Sequence, residues 1–246
     1  MGQVEQSLGP KRQMTKPALI LTRPAPACAA FAASLPAALL SRVRVVTSPL
    51  LHILPTAAPV DLGGIGGVIF TSANGVAHGP EGGTVPAYCV GEATAQAAAA
   101  KGWQVAFHAP DAAHLLPMIK AHRPATPLLH LRGTHQRGDI AERLTQAGLP
   151  TRAVVLYDQQ ALPLTRDAQA ALSDGPSIVP LFSPRTAAQF ADQAHDTRRA
   201  TIIALSPAVA EALDRTVVQQ MLIAPEPTAT SLRFTLETAV DWNRLA

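Results

Sequence analysis

Residues 68–77 read VIFTSANGVA and residues 178–188 read IVPLFSPRTAA. In each stretch an apolar, partly β-branched run stops at a hydroxyl, and small helix-compatible residues follow. A short apolar run bounded by polar residues reads as a buried strand, and a Ser before a helical pattern reads as its N-cap. The chain presents one strand–loop–helix corner twice.

The likeness extends downstream. CVGEATAQA (89–97) aligns with ALSPAVAEA (204–212), and FHAPDAAHLLPMI (107–119) with LIAPEPTATSLRF (222–234). The step from Val90 to His108 is eighteen residues, as is the step from Leu205 to Ile223. A strand–helix–strand–helix–strand unit therefore occurs twice, in one order. Around it, apolar strands are expected at Ala18–Thr22, Val105–His108, Leu128–Leu131 and Thr201–Leu205, alternating with helical patterns over Ala27–Leu40, 91–102 and 133–148. Alternating β and α over this length indicates parallel sheets with helices on both faces.

ALILTRP (18–24) opens the chain before the first copy, and LLHLRG (128–133) closes that copy. Each is apolar and ends in a loop carrying an Arg. The simplest arrangement gives ALILTRP to the second copy, with the first copy inserted into a discontinuous domain. The expected division is a loose extension over 1–16, a discontinuous α/β domain over 17–47 plus 163–246, and an inserted α/β domain over 52–151. Two β-rich stretches, 43–54 and 152–162, are expected to pair antiparallel as a two-stranded connector, a marginal element that lets the domains move.

Composition fits this reading. Of 246 residues, 48% are hydrophobic but only 4% aromatic, which favours helices on sheets over an aromatic-rich sandwich. The net charge of +3 is spread along the chain rather than gathered in a basic block, so no nucleic-acid footprint is expected. Cys28 and Cys89 have no CxxC partner and sit in apolar runs, as small buried hydrophobes do. No window of eighteen apolar residues offers a membrane span, and the polar MGQVEQSLGPKRQMTK of 1–16 lacks the apolar core of a signal peptide, so a cytoplasmic protein is expected.

In open parallel sheets the ligand crevice lies beyond the carboxyl ends of the strands. Thr22, Arg23, Thr71, Ser72, Asn74, Gly91, Thr94, Arg132, Gly133, Thr134, Ser183, Arg185 and Ser206 fall there. Each lies near a helix N-terminus, where free N–H groups favour anions. Two facing domains would line one cleft suited to a polycarboxylate. The plainer account stands beside it: Ser183-Pro184 and Ser206-Pro207 have the form of an N-cap with proline at N1, and Thr71, Ser72 and Asn74 are favoured capping types. The arginines read equally as solvated surface charge. Tyr157, one of two tyrosines, sits on the expected connector as a hydrogen-bond or proton donor, or as an ordinary strand aromatic.

No GxGxxG follows a strand, the DLGGIGG of 61–67 precedes one, and there is no P-loop, HExxH or GxSxG. The histidines are scattered.

Taken together, LTRP, FTSANGV, VGEATA, LLHLRG, VVLYDQQ, LFSPRTA and ALSPAVAEAL resemble the uroporphyrinogen-III synthase family, in that family's order from about Ala18 onward. The resemblance implies two flavodoxin-like α/β domains joined by a β-ladder. It implies closure of hydroxymethylbilane, a linear tetrapyrrole with eight carboxylates, to uroporphyrinogen III. Water leaves the terminal hydroxymethyl group, and ring D attacks through its substituted α-carbon to give a spiro intermediate, which reopens and recloses with ring D inverted. It implies no metal or organic cofactor, a monomer, and a transient contact with the preceding pathway enzyme. Tyr157 matches the tyrosine favoured to assist loss of the hydroxyl; Thr94, Ser72 and Ser183 match the hydroxyls of the VGxATA, FTS and FSP motifs. Where many relatives carry a GPTTA-like motif, this chain has Ser206-Pro207-Ala208-Val209, which argues against an essential hydroxyl at 208 or 209. A non-catalytic two-domain binding protein for an anionic small molecule is the rival expectation.

Overall fold

The computed structural model describes residues 16–135, 138–213 and 216–242, with the backbone alone at 241 and 242. The extension expected over 1–16 lies, except for Lys16, outside the described residues. The chain divides into two compact units, 1–50 with 162–246 and 51–161.

The first unit holds β1 (Ala18–Leu21), α1 (Ala25–Ala33), α2 (Ala37–Leu40) and β2 (Arg44–Thr47). The second opens with β3 (Leu51–Pro55), β4 (Gly67–Phe70), α3 (Ala73–His78) and β5 (Pro86–Val90). It continues with α4 (Glu92–Ala100), β6 (Gln104–Ala109), α5 (Ala112–His122), β7 (Leu128–Gly133), α6 (Ile140–Gln146) and β8 (Thr151–Ala161). The chain then returns to the first unit as α7 (Arg166–Asp174), β9 (Ser177–Leu181), α8 (Pro184–Gln193), β10 (Ala200–Ala204), α9 (Pro207–Glu211), β11 (Gln220–Ile223) and α10 (Ala229–Trp242).

The first unit's sheet has the order β11-β10-β9-β1-β2, all parallel. Counted along the chain this is 2-1-3-4-5, the flavodoxin-like order. The second unit's sheet has the order β3-β8-β7-β4-β5-β6, parallel except that β3 runs antiparallel on β8. Its five parallel strands repeat the first sheet's arrangement entered at a different strand. Both faces of each sheet are covered, so the central strands are apolar throughout: β1, β4 and β9 are buried at every residue. In the second unit α3 and α4 pack on the face of Phe70, Cys89 and Leu131, whereas α5 and α6 pack on the face of Ile69, Tyr88 and Leu128.

Strand register repeats the sequence alignment residue by residue. Phe70 pairs with Cys89 as Leu181 pairs with Ala204, and Cys89 pairs with His108 as Ala204 pairs with Ile223. Gly67 pairs with Leu128 as Ile178 pairs with Leu19, which makes Arg132 and Arg23 equivalent positions.

The expected antiparallel pairing is present between Leu51–Pro55 and 157–161, and four local expectations of extent are corrected. The span 43–54 is not one connector strand: it divides around Pro49, with β2 in the first sheet and β3 in the second. The other stretch, 152–162, belongs to the eleven-residue β8, whose first part pairs with β7 and whose second part pairs with β3. The ribbon is therefore the edge of a six-stranded sheet rather than a free-standing element. The helix expected over Ala27–Leu40 is broken before Pro36, where an α-conformation is sterically disfavoured, and the one expected over 133–148 is formed only at Ile140–Gln146. Cys28 and Cys89 are buried, and burial pushes each thiol up to about 11.

Candidate functional site

In the second unit the chain runs outward from β4 through β5 to β6, then crosses back to β7 on the other side of β4. The strand order thus reverses between β4 and β7. Adjacent connections leave on opposite faces there, which opens a crevice beyond the strand ends. Thr71 and Ser72 follow β4; Arg132 and Gly133 end β7; Tyr157 lies beside them on β8.

These five expected residues are brought together. Ser72 Oγ lies 2.8 Å from Tyr157 Oη and accepts from the Gly75 N–H at 3.2 Å as the N-cap of α3. The Tyr157 ring is 4% exposed. Burial pushes its phenol above the ordinary tyrosine range, and the Ser72 bond pulls partly the other way. Here the β7–β8 register shifts: Arg132 pairs with Val155 and Gly133 with Tyr157, so Leu156 is the extra residue of a bulge in β8. Gly133 is placed so that a Cβ would stand 2.6 Å from the Tyr157 ring; only glycine admits the ring there. The Thr134 N–H donates to the Tyr157 carbonyl at 2.9 Å. Arg132 bends back to donate to the Gly133 and Thr134 carbonyls at 2.8 and 3.1 Å, which shapes the same loop.

Two residues of this site escaped the sequence reading. His130 is fully buried, its Nε2 3.5 Å from Thr71 Oγ1. Burial first and the Arg132 charge second push its pKa down to about 4, so the ring is neutral. A His inside an apolar strand, two residues before an Arg and hence on the same face, was the available signal. His78, on α3, lies with its ring centroid 5.8 Å from that of Tyr157; nothing in its sequence context marks it.

Gly91 and Thr94 lie one strand further out, at β5. Gly91 begins α4 with φ +82°, and its N–H donates to the Ala109 carbonyl at 2.7 Å; Thr94 is buried in the first turn. Asn74 is half-buried in the first turn of α3.

Thr22, Arg23, Ser183 and Arg185 lie at the equivalent reversal of the first unit, between β1 and β9, and Ser206 lies one strand further out, after β10. Thr22 is 1% exposed, and its hydroxyl has no partner among the described residues. The Arg23 guanidinium stacks over Phe182 at 4.4 Å, and burial lowers its pKa. Ser183 caps α8, accepting from the Thr186 N–H at 3.2 Å, with Thr186 Oγ1 2.8 Å away; Arg185 follows in the first turn. Ser206 precedes α9 but makes no side-chain cap bond, against expectation. The capping account therefore holds for Ser72 and Ser183 only. Helices α3 and α9 have six and five residues, too short for a developed dipole, which weakens the expected anion-holding role of their termini.

Among the described residues no three His, Cys, Asp or Glu side chains could jointly hold a metal ion, and no helix is long and apolar enough to cross a membrane.

The fold places the chain among two-domain, doubly wound α/β proteins with polar residues gathered at the strand ends. The family model for uroporphyrinogen-III synthase HemD matches residues 40–233, and the chain belongs to that family. Its activity is accordingly that of a cyclising lyase of porphyrin and heme biosynthesis. No curated protein sequence matches the chain. Among solved structures it is similar to a uroporphyrinogen-III synthetase from Helicobacter pylori, at 18% identity and a TM-score of 0.63, covering 92% of this chain and 99% of that one. It is also similar to a mutant uroporphyrinogen III synthase from Thermus thermophilus, at 13% identity and a TM-score of 0.53, covering 91% and 99%. At these identities the two structures speak for the fold; the family rests on the family model.

Proposed function

We propose that Tyr157, backed by Ser72, assists departure of the hydroxyl from hydroxymethylbilane. The supporting observation is the 2.8 Å contact between the two hydroxyls at the sheet's point of reversal. A phenol raised above its ordinary range keeps its proton at neutral pH and serves as a hydrogen-bond donor. Ser72 Oγ already accepts from the Gly75 N–H, so its own proton is free for the Tyr157 oxygen. The chain Gly75 N–H, Ser72 O–H, Tyr157 O–H then directs one polarised proton at the leaving oxygen. The C–O bond breaks, the oxygen departs as water, and the pyrrole N–H proton is released to leave a neutral azafulvene.

The strand-end residues take the other part of the work. Substrate carboxylates are held at each unit's own strand ends, by Arg23 and Arg185 with Thr22, Ser183 and Ser206 in the first unit and by Arg132 with Thr71, Asn74, Gly91, Thr94 and Gly133 in the second, and this grip positions ring D for attack through its substituted carbon. Holding reacting groups in the productive geometry is worth several kcal/mol of barrier, and the spiro route demands little beyond it. The protein acts as a cytoplasmic monomer that meets the preceding pathway enzyme transiently.

The deciding experiment is Tyr157→Phe, supplied with hydroxymethylbilane, with the type I and type III isomers separated. We expect turnover to fall roughly a hundred- to ten-thousand-fold, the range of positioned proton donors, with the fold intact. Unchanged rate and type III yield would remove Tyr157 from the mechanism.

A further inference from the structure

Ser72 is carried by a helix that should not hold itself in place. α3 has six residues, about 9 Å of helix, and helices so short have little stability of their own. Its end also lacks the usual closure. Gly79, at the C-cap, has φ −79° and ψ 175°, not the left-handed conformation that would fold the following N–H groups back on the last carbonyls.

Only the Gly79 N–H reaches back, to the Val76 carbonyl at 3.2 Å; the rest of the closure is made by one side chain. Lys101 Nζ donates to the carbonyls of Val76, Ala77 and Gly79 at 3.0, 2.9 and 2.7 Å. All three ammonium protons are thereby engaged, and the positive charge sits where a helix end favours it. The lysine itself is firmly held. It is the C-cap of α4; its N–H donates to the Ala97 and Ala98 carbonyls, and its carbonyl accepts from the Gly82 N–H at 2.9 Å. Trp103, buried two residues later, packs edge-on against Phe70 of the central strand. On its other side α3 rests on β7 through Gly75, where a Cβ would stand 2.9 Å from the Leu131 carbonyl.

We propose that Lys101 is a positioning residue for the Ser72–Tyr157 pair: by gripping the end of α3 it fixes the height of a short rigid helix whose other end carries Ser72. It lies at the far end of that helix and touches no reacting group. The proposal rests on the catalytic role of Tyr157 for its effect on turnover, but its geometry can be tested separately.

Tyr88 and Tyr157 are the two tyrosines of the chain, so Tyr88→Phe leaves Tyr157 alone. With ¹³Cζ-labelled tyrosine, this full-length variant gives one phenol carbon resonance, sensitive to the hydrogen bond at the hydroxyl. Ser72→Ala is expected to displace it. Lys101→Met is expected to displace it the same way, and Lys101→Met added to Ser72→Ala to displace it no further. Turnover of Lys101→Met should fall roughly ten-fold in kcat, with KM for hydroxymethylbilane unchanged. A resonance undisturbed by Lys101→Met overturns the proposal, as does a further shift in the absence of the Ser72 hydroxyl. Should Lys101→Met fail to fold, Lys101→Arg is read by the same criteria, because a planar fork cannot meet three converging carbonyls. If Tyr157→Phe proves fully active, the catalytic reading falls while the resonance still decides the role of Lys101.

Discussion

Gly133 and Tyr157 stand in contact across neighbouring strands, with room for no atom between them: a Cβ at 133 would lie 2.6 Å from ring carbons of Tyr157 and 3.0 Å from its hydroxyl. Gly133→Ala should therefore push the ring off Ser72. Overpacking of this kind costs about 1–3 kcal/mol, while a 1 Å displacement of a reacting group costs up to roughly a hundred-fold in rate. We expect a modest fall in Tm and a large fall in kcat. A Gly133→Ala protein with parental kcat would mean that the ring position is immaterial to catalysis.

Arg23 and Arg132 are equivalent by register yet differently employed. Arg132 braces its own loop carbonyls; Arg23 lies over Phe182. If both hold substrate carboxylates, alanine at either should raise KM, by at most the roughly 1.5–3 kcal/mol of a charge-assisted bond. Arg23→Ala should also lower Tm, since a cation over an aromatic face contributes about 0.5–2 kcal/mol. KM unaltered in both variants would place the carboxylates elsewhere.

The repeat was legible because burial on both faces forces central parallel strands into apolar runs, and because Ser72 and Ser183 must each cap the helix after it. Tyr157 and Ser72 could be nominated singly, but nothing in a sequence states that residues 72 and 157 meet. That contact depends on β7 lying between β4 and β8, and on a bulge at Leu156 that one-dimensional periodicity does not carry. The extent of the connector is illegible for a related reason. A β-rich run shows that a strand forms, not which sheet receives it, and the change of sheet at Pro49 and the double pairing of β8 are tertiary facts. Lys101 carries no signal in the sequence because its partners lie at the end of another helix.

Tyr88 offers a contrast to Tyr157. Its ring is fully buried, burial raises its pKa, and its hydroxyl has no partner among the described residues. An unsatisfied buried hydroxyl costs about 1–3 kcal/mol. Tyr88→Phe removes that cost and keeps the ring contacts with Phe107. We expect an unchanged or raised Tm, by the equivalent of up to roughly 1 kcal/mol, with full activity. A clear loss of stability by urea unfolding would show that this hydroxyl is satisfied in solution.

His130 gives the fold a pH dependence of definite sign. An unfolded His takes its proton near pH 6.5. In the fold, burial and then the neighbouring Arg132 charge push the ring down to about 4. Above about pH 6.5 the ring is neutral in both states, and its contribution is fully present. As the pH falls below that, the unfolded chain binds a proton that the folded chain refuses, so stability declines by up to about 1.4 kcal/mol per pH unit. The decline ends near pH 4, where the folded ring protonates too. Across the whole window the loss is roughly 3 kcal/mol. Replacing the ring removes the proton but also the contact with Thr71 Oγ1, so absolute stability will change as well; the slope isolates the titration. For His130→Leu, urea unfolding from pH 7 to pH 4 should give a stability curve flatter than the parent's by about one proton at its steepest. Parallel curves would show that His130 is not held neutral, and Arg132 would then share this strand face with a second cation.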